Sequence, residues 1–279
     1  MRLREVTAAD GLRLRLRDWP GDSHRTPLLC LAGIGRNSLD FTGLAERHAG
    51  TRRIVAPDYA GHGESDRAIR SERYTPEHAI ADLLDSCASF GIDRCVVVGT
   101  SFGGLLAMFL AVARPALVRG VVLNDIGPRI EAEGLLEAQG LLSDDPAFPD
   151  LASAADFLRR MMPGVPLQGE ARWQDFAERT YRLAEDGRWH PRWDTRLGQV
   201  ASSGEPMTSF DPVFEALGDI PTLLVWGEQS HILSASTVAA MRRSKPNLEI
   251  LVVPEAGHAP TLEEGSVIPR LDAFLNRLA

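Results

Sequence analysis

The chain has 279 residues, a formal net charge of −8 and a 44% share of hydrophobic residues. That composition belongs to a folded chain, and the length suits one large α/β domain or a core with an insertion. The acidic balance argues against a nucleic-acid-binding face, and no apolar run reaches the ~18 residues needed to span a bilayer.

The 30 basic residues are scattered, and only Lys245 is a lysine. Cys30, Cys87 and Cys95 are too few, and odd in number, for a disulfide framework. The first residues mix charged and apolar types without a secretory pattern, so a cytoplasmic protein is expected.

Along the chain, residues 12–17 (LRLRLR) alternate strictly and predict a half-solvated strand at the antiparallel edge of a sheet. Residues 28–31, 54–56, 95–98, 121–123, 223–226 and 250–253 are short continuous apolar runs, the pattern of strands covered on both faces. Between them, residues 76–90 carry Ile80, Leu83, Leu84 and Cys87 at helical spacing, with Pro76 suited to the first turn. Residues 103–113 are apolar nearly all round and predict a buried helix, and residues 267–278 predict an amphipathic closing helix. This alternation predicts an α/β fold with a mostly parallel, doubly wound sheet. Residues 128–210 contain no strand-like run and are too long for a structureless loop. They are read as a helical lid, leaving residues 1–127 and 211–279 as the core.

The sharpest local signal is Gly99-Thr100-Ser101-Phe102-Gly103-Gly104, a G-x-S-x-G motif between a buried strand and a helix. Such a turn strains its central residue and needs small neighbours, and it presents the Ser101 hydroxyl at the carboxyl end of the sheet, where ligands bind.

With this motif the sequence resembles the α/β-hydrolase superfamily nearly end to end. Residues 58–66 (DYAGHGESD) look like its D-x-x-G-H-G-x-S-D loop, and Gly257-His258 looks like its catalytic histidine. Leu31-Ala32-Gly33-Ile34 stands in the place of its H-G oxyanion motif, with Ala32 where histidine is usual. The resemblance implies a helical lid inserted after strand 6, Ser101 as nucleophile and His258 as general base and acid. It also implies Ile34 and Phe102 as backbone oxyanion donors. An aspartate nucleophile is excluded by Ser101. His62 is expected to support its own loop, and His24, His48, His78 and His190 to lie on the surface. With no paired histidines around a glutamate, neither a zinc site nor any cofactor is expected.

The acid of the triad is not at its usual place. After the run 223–226 the chain reads Gly227-Glu228-Gln229-Ser230-His231, which puts Ser230 or His231 where a carboxylate normally stands. Asp125, at the end of the run 121–124, preserves the order nucleophile, acid, base. Its alternative role is to fix the turn into the lid, since Asp readily bonds nearby backbone.

In the lid, Trp173, Trp189 and Trp193, with Phe176 and Tyr181, either roof an apolar pocket or pack the lid onto the core. Arg36 is placed to reach a substrate carboxylate or to form a surface salt bridge. His231 is a further substrate-binding candidate. Three functions follow: a serine hydrolase of a small carboxylic ester or lactone, a carbon–carbon bond hydrolase of ring-fission dienoates, or a ligand-binding protein of hydrolase fold. The partner expected is a small-molecule substrate, with no nucleic acid and no membrane; a homodimer is left open.

Overall fold

A computed structural model describes residues 1–202 and 209–278, so residues 203–208 of the expected lid lie outside the described residues. The strands are β1 (Arg2–Thr7), β2 (Arg13–Trp19), β3 (Leu28–Leu31), β4 (Ile54–Pro57), β5 (Cys95–Thr100), β6 (Val118–Asn124), β7 (Tyr181–Leu183), β8 (Trp189–Pro191), β9 (Thr222–Gly227) and β10 (Glu249–Val253). The helices are α1 (Thr42–Arg47), α2 (Pro76–Ser89), α3 (Phe102–Ala113), α4 (Ala132–Ser143), α5 (Leu151–Met161), α6 (Glu170–Thr180), α7 (Leu197–Ser202), α8 (Asp211–Glu215), α9 (Ala235–Ser244) and α10 (Ile268–Asn276).

Eight strands form one sheet in the order β1-β2-β4-β3-β5-β6-β9-β10. The β1–β2 and β2–β4 pairs are antiparallel, and every other neighbouring pair is parallel. The alternating run is not the edge: β1 covers its outer side, pairing Arg2 with Asp18 through Thr7 with Arg13. As second strand, β2 buries Arg17, which bonds Ser38 and Glu64. A buried guanidinium needs such partners, and the alternating pattern alone does not reveal them.

The parallel strands owe their apolar runs to cores on both faces. Successive residues alternate between them, with Val97, Val121, Leu123 and Leu224 facing one core and Val96, Val98, Val122 and Val225 the other. Helices α2, α3 and α9 cover the first face through Leu83, Leu106 and Met241. Helices α1 and α10 cover the second through Leu44, Leu271 and Phe274. Helix α2 begins as its sequence requires: Pro76 sits in the first turn, and the Thr75 side chain accepts from the His78 N–H. Each large side chain buried in this way contributes about 1.5–3 kcal/mol.

The helical lid enters after β6, through α4, α5 and α6. It also contains an antiparallel hairpin, β7 with β8, which the expectation of helices alone did not include. Three-residue strands are too short for periodicity to reveal. The lid packs onto the core through a third apolar cluster, in which Leu142, Leu158, Trp173, Tyr181 and Trp193 join Leu14, Ala60 and Tyr74.

Candidate functional site

The turn from β5 into α3 places Ser101 at φ 52°, a region L-residues seldom enter. The glycines around it leave the space this turn demands. A methyl group on Gly99 would lie 2.4 Å from the Gly103 carbonyl oxygen, and one on Gly103 would lie 2.0 Å from that of Leu31. The first residue of a helix has no intrahelical acceptor for its N–H, so the Phe102 N–H that opens α3 is available beside Ser101. Among the described residues the Ile34 N–H has no acceptor either.

One strand along, the chain leaves β6 with Asp125 at φ 54° and its side chain fully buried. Its backbone N–H donates to the Val225 carbonyl at 2.8 Å, which seats the turn on β9. The carboxylate then receives three donors. The Gly227 N–H reaches Oδ1 at 2.9 Å, and the Ser230 hydroxyl reaches Oδ2 at 2.6 Å. His258 Nδ1 lies 2.7 Å from the same Oδ2. Ser230 Oγ also accepts from the backbone N–H groups of Ile232 and Leu233, both at 3.1 Å. Of the two residues on this loop that stand near the usual place of a carboxylate, Ser230 is the one whose hydroxyl bonds the Asp125 carboxylate at the end of β6. Asn124 adds a further tie, donating through Nδ2 to the Pro260 carbonyl at 2.8 Å and so binding the end of β6 to the histidine's loop.

The 58–66 loop braces the segment that follows β3. Asp58 accepts the Ser38 N–H at 2.7 Å and the Glu64 N–H at 3.0 Å, and a methyl group on Gly63 would occupy the space of its carboxylate. Burial pushes the Asp58 carboxyl above its ordinary pKa. Tyr59 donates to the Ala32 carbonyl at 3.0 Å and meets the Phe102 ring edge-on, so this strand end is held without the usual histidine. His62 does support its own loop, with Nδ1 3.0 Å from the Ala60 carbonyl. Burial lowers its pKa to about 4. His48 is not on the surface: it is buried, with Nε2 3.0 Å from Asp272.

Ser101, His258 and Ile34 line one cavity of about 750 Å³, within the size range of small-molecule sites. Its apolar wall includes Leu136, Leu141, Leu158, Met161, Met162 and Phe176. His231 also lines it. Trp193 lines it too, although only 2% exposed, and donates through its indole N–H to the Leu142 carbonyl. Trp173 and Trp189 are absent from the wall among the described residues. Trp173 is buried within the lid, and Trp189 continues the hairpin by exchanging backbone hydrogen bonds with Phe148. Arg36 borders the cavity, but its guanidinium bonds Asp40 and Thr180 and stacks 4.1 Å above the Phe176 ring. Its donors therefore join the loop after β3 to the lid.

The sequence marks Ser230 only as a residue near the usual place of an acid and does not mark Gly227 or Gly164, because the glycines gain meaning from approaches across the fold. Among the described residues, no group of three or more His, Cys, Asp or Glu is placed to hold a metal ion, and no helix is long and apolar enough to cross a membrane.

Residues 26–265 match the family described as alpha/beta hydrolase fold. The structure superposes on that of an alpha/beta hydrolase from Novosphingobium aromaticivorans with a TM-score of 0.93 and 38% identity, covering 99% of this chain and 98% of that one. Over 267 residues the chain is 26% identical to the 3-hydroxybutyrate-oligomer hydrolase of Cupriavidus necator, covering 92% of this chain and 90% of that one. It is also 28% identical over 239 residues to the 2-(acetamidomethylene)succinate hydrolase of Mesorhizobium japonicum, covering 83% of this chain and 81% of that one.

Proposed function

From the premise that the chain belongs to the α/β-hydrolase fold family, we propose that it is a serine hydrolase of small carboxylic esters or lactones, with Ser101, His258 and Asp125 as its triad. The observation that carries this reading is the fully buried Asp125, whose Oδ2 lies 2.7 Å from His258 Nδ1, one strand from Ser101. The match to a hydrolase of 3-hydroxybutyrate oligomers supports the ester class.

In this reading the Ser101 hydroxyl oxygen attacks the substrate carbonyl carbon while His258 Nε2 takes the hydroxyl proton. Asp125 holds Nδ1–H and stabilises the imidazolium that forms. The carbonyl oxygen becomes an oxyanion, received by the N–H groups of Ile34 and Phe102; losing one such donor typically costs about 10²–10³ in rate. The tetrahedral species collapses to an ester of Ser101, and the leaving alkoxide takes the proton from His258. Water then attacks that ester, again deprotonated by His258, and releases the acid and free Ser101. The largely apolar lid wall favours a substrate with an apolar acyl or alkyl portion.

The test is labelling by an active-site-directed fluorophosphonate, with Ser101→Ala as control. Labelling of the parent and none of the variant is expected. A parent that fails to label under conditions that label a control hydrolase overturns the proposal. A panel of short esters, lactones and ring-fission dienoates then reads the substrate class, and dienoate cleavage with silent esters overturns the ester assignment.

A further inference from the structure

The lid loop between α5 and α6 touches the core where Gly257 precedes His258. The Gly257 N–H donates to the Gly164 carbonyl at 2.6 Å. A methyl group on Gly164 would lie 2.7 Å from Gly257 Cα, and one on Gly257 would lie 2.9 Å from Gly164 Cα. Neither residue adopts the left-handed backbone that favours glycine, so both positions demand space and not conformational freedom. On the other side stands Gly227, where a methyl group would lie 2.4 Å from the Gly257 carbonyl oxygen. Gln229 also donates its N–H to the Ala256 carbonyl at 2.9 Å. The peptide leading into His258 is therefore gripped between the end of β9 and the lid, with glycines at both close backbone approaches.

We infer that Gly164 is a positioning residue: the lid, besides covering the cavity, sets the backbone from which His258 reaches Asp125 and Ser101. The inference rests on the hydrolase reading above. The core alone fixes one side of the histidine's peptide, and the second fixed point belongs to the inserted segment. A side chain at Gly164 cannot be absorbed by a flexible neighbour, because the atoms it meets are the backbone of Gly257. The peptide must shift, and shifts of about 1 Å in a reacting group cost on the order of 10²-fold in rate.

The experiment is Gly164→Ala, with Gly265→Ala as control, since a methyl group there meets nothing within 4 Å. Fluorophosphonate labelling of Ser101 and ester kcat are expected to fall roughly 10²-fold in Gly164→Ala, with KM little changed and the control matching the parent. Labelling at the parental rate, or a loss confined to KM, overturns the inference and leaves the hydrolase reading intact. A parent that does not label overturns both. If Gly164→Ala does not fold, amide exchange in the parent decides. The Gly257 N–H is expected to be protected and to open together with the lid amides of α5, because its acceptor is in the lid. Immediate exchange at Gly257 overturns the inference.

Discussion

Ser101 and Asp125 end neighbouring parallel strands, and both hold a left-handed backbone, at φ 52° and 54°. Their supports differ in origin. The small residues Ser101 needs are its neighbours in sequence: Gly99 and Gly103 clear the space for its turn, and the Gly104 N–H donates to its carbonyl at 2.8 Å, while its own N–H ties the turn to the Asn124 carbonyl of β6 at 3.0 Å. Asp125 has no comparable local frame. Gly227, Ser230 and His258 meet its carboxylate from 102, 105 and 133 residues away. A strained residue can thus be fixed by its own neighbours or by the far ends of the chain, and only the first arrangement leaves a motif.

The largest effect separates chemistry from support. Ser101→Ala removes the attacking oxygen but keeps the glycines, so turnover should fall by about 10⁶ while the melting temperature stays near that of the parent. A large loss of stability would show that the serine hydroxyl, and not its glycine frame, holds the elbow. Asp125→Asn is the corresponding test at the acid corner. Its amide would favour the wrong histidine tautomer, and a loss of about 10⁴ in kcat is expected. Adding His231→Asp should not restore the rate, because Ser230 and not residue 231 meets the side chain at position 125 that faces His258. Recovery of most of the lost activity would overturn the assignment of Asp125.

These two corners also mark how far the sequence could be read. Continuous apolar runs such as 95–98 disclose buried parallel strands because both faces of the sheet are covered. The elbow is legible because the small residues that its turn needs stand together within six positions of the sequence. Asp125 could be read equally well as a turn residue, since its donors come together only in the folded chain. The first strand leaves no such signal, because Arg2–Thr7 is largely solvated and has no buried stripe. Among the lid tryptophans, composition could not distinguish Trp193 at the cavity from Trp173 inside the lid. Both are large, buried and apolar, and only packing separates them.

If the elbow depends on local space, Gly99→Ala should damage folding before chemistry. Its methyl group would lie 2.4–2.5 Å from three backbone atoms of Gly103 and Gly104. A destabilisation of about 1–3 kcal/mol or more in urea unfolding is expected. A variant as stable as the parent would show that the turn can relax, and the contrast with Asp125 would lose its basis.

The smallest expected effect bears most directly on the remote support of Asp125. Ser230→Ala removes one donor to the carboxylate and one acceptor shared by the Ile232 and Leu233 N–H groups, but leaves the Gly227 and His258 contacts in place. A net hydrogen bond of about 1–1.5 kcal/mol corresponds to roughly a tenfold fall in kcat, with a stability loss of similar size. Ser230→Thr keeps the hydroxyl and should recover most of the rate. If alanine and threonine behave alike, the hydroxyl does not orient Asp125, and the acid depends on the strand-end N–H of Gly227 alone. If only alanine is impaired, the Ser230 hydroxyl serves His258 through Asp125, one hydrogen bond farther from the ring.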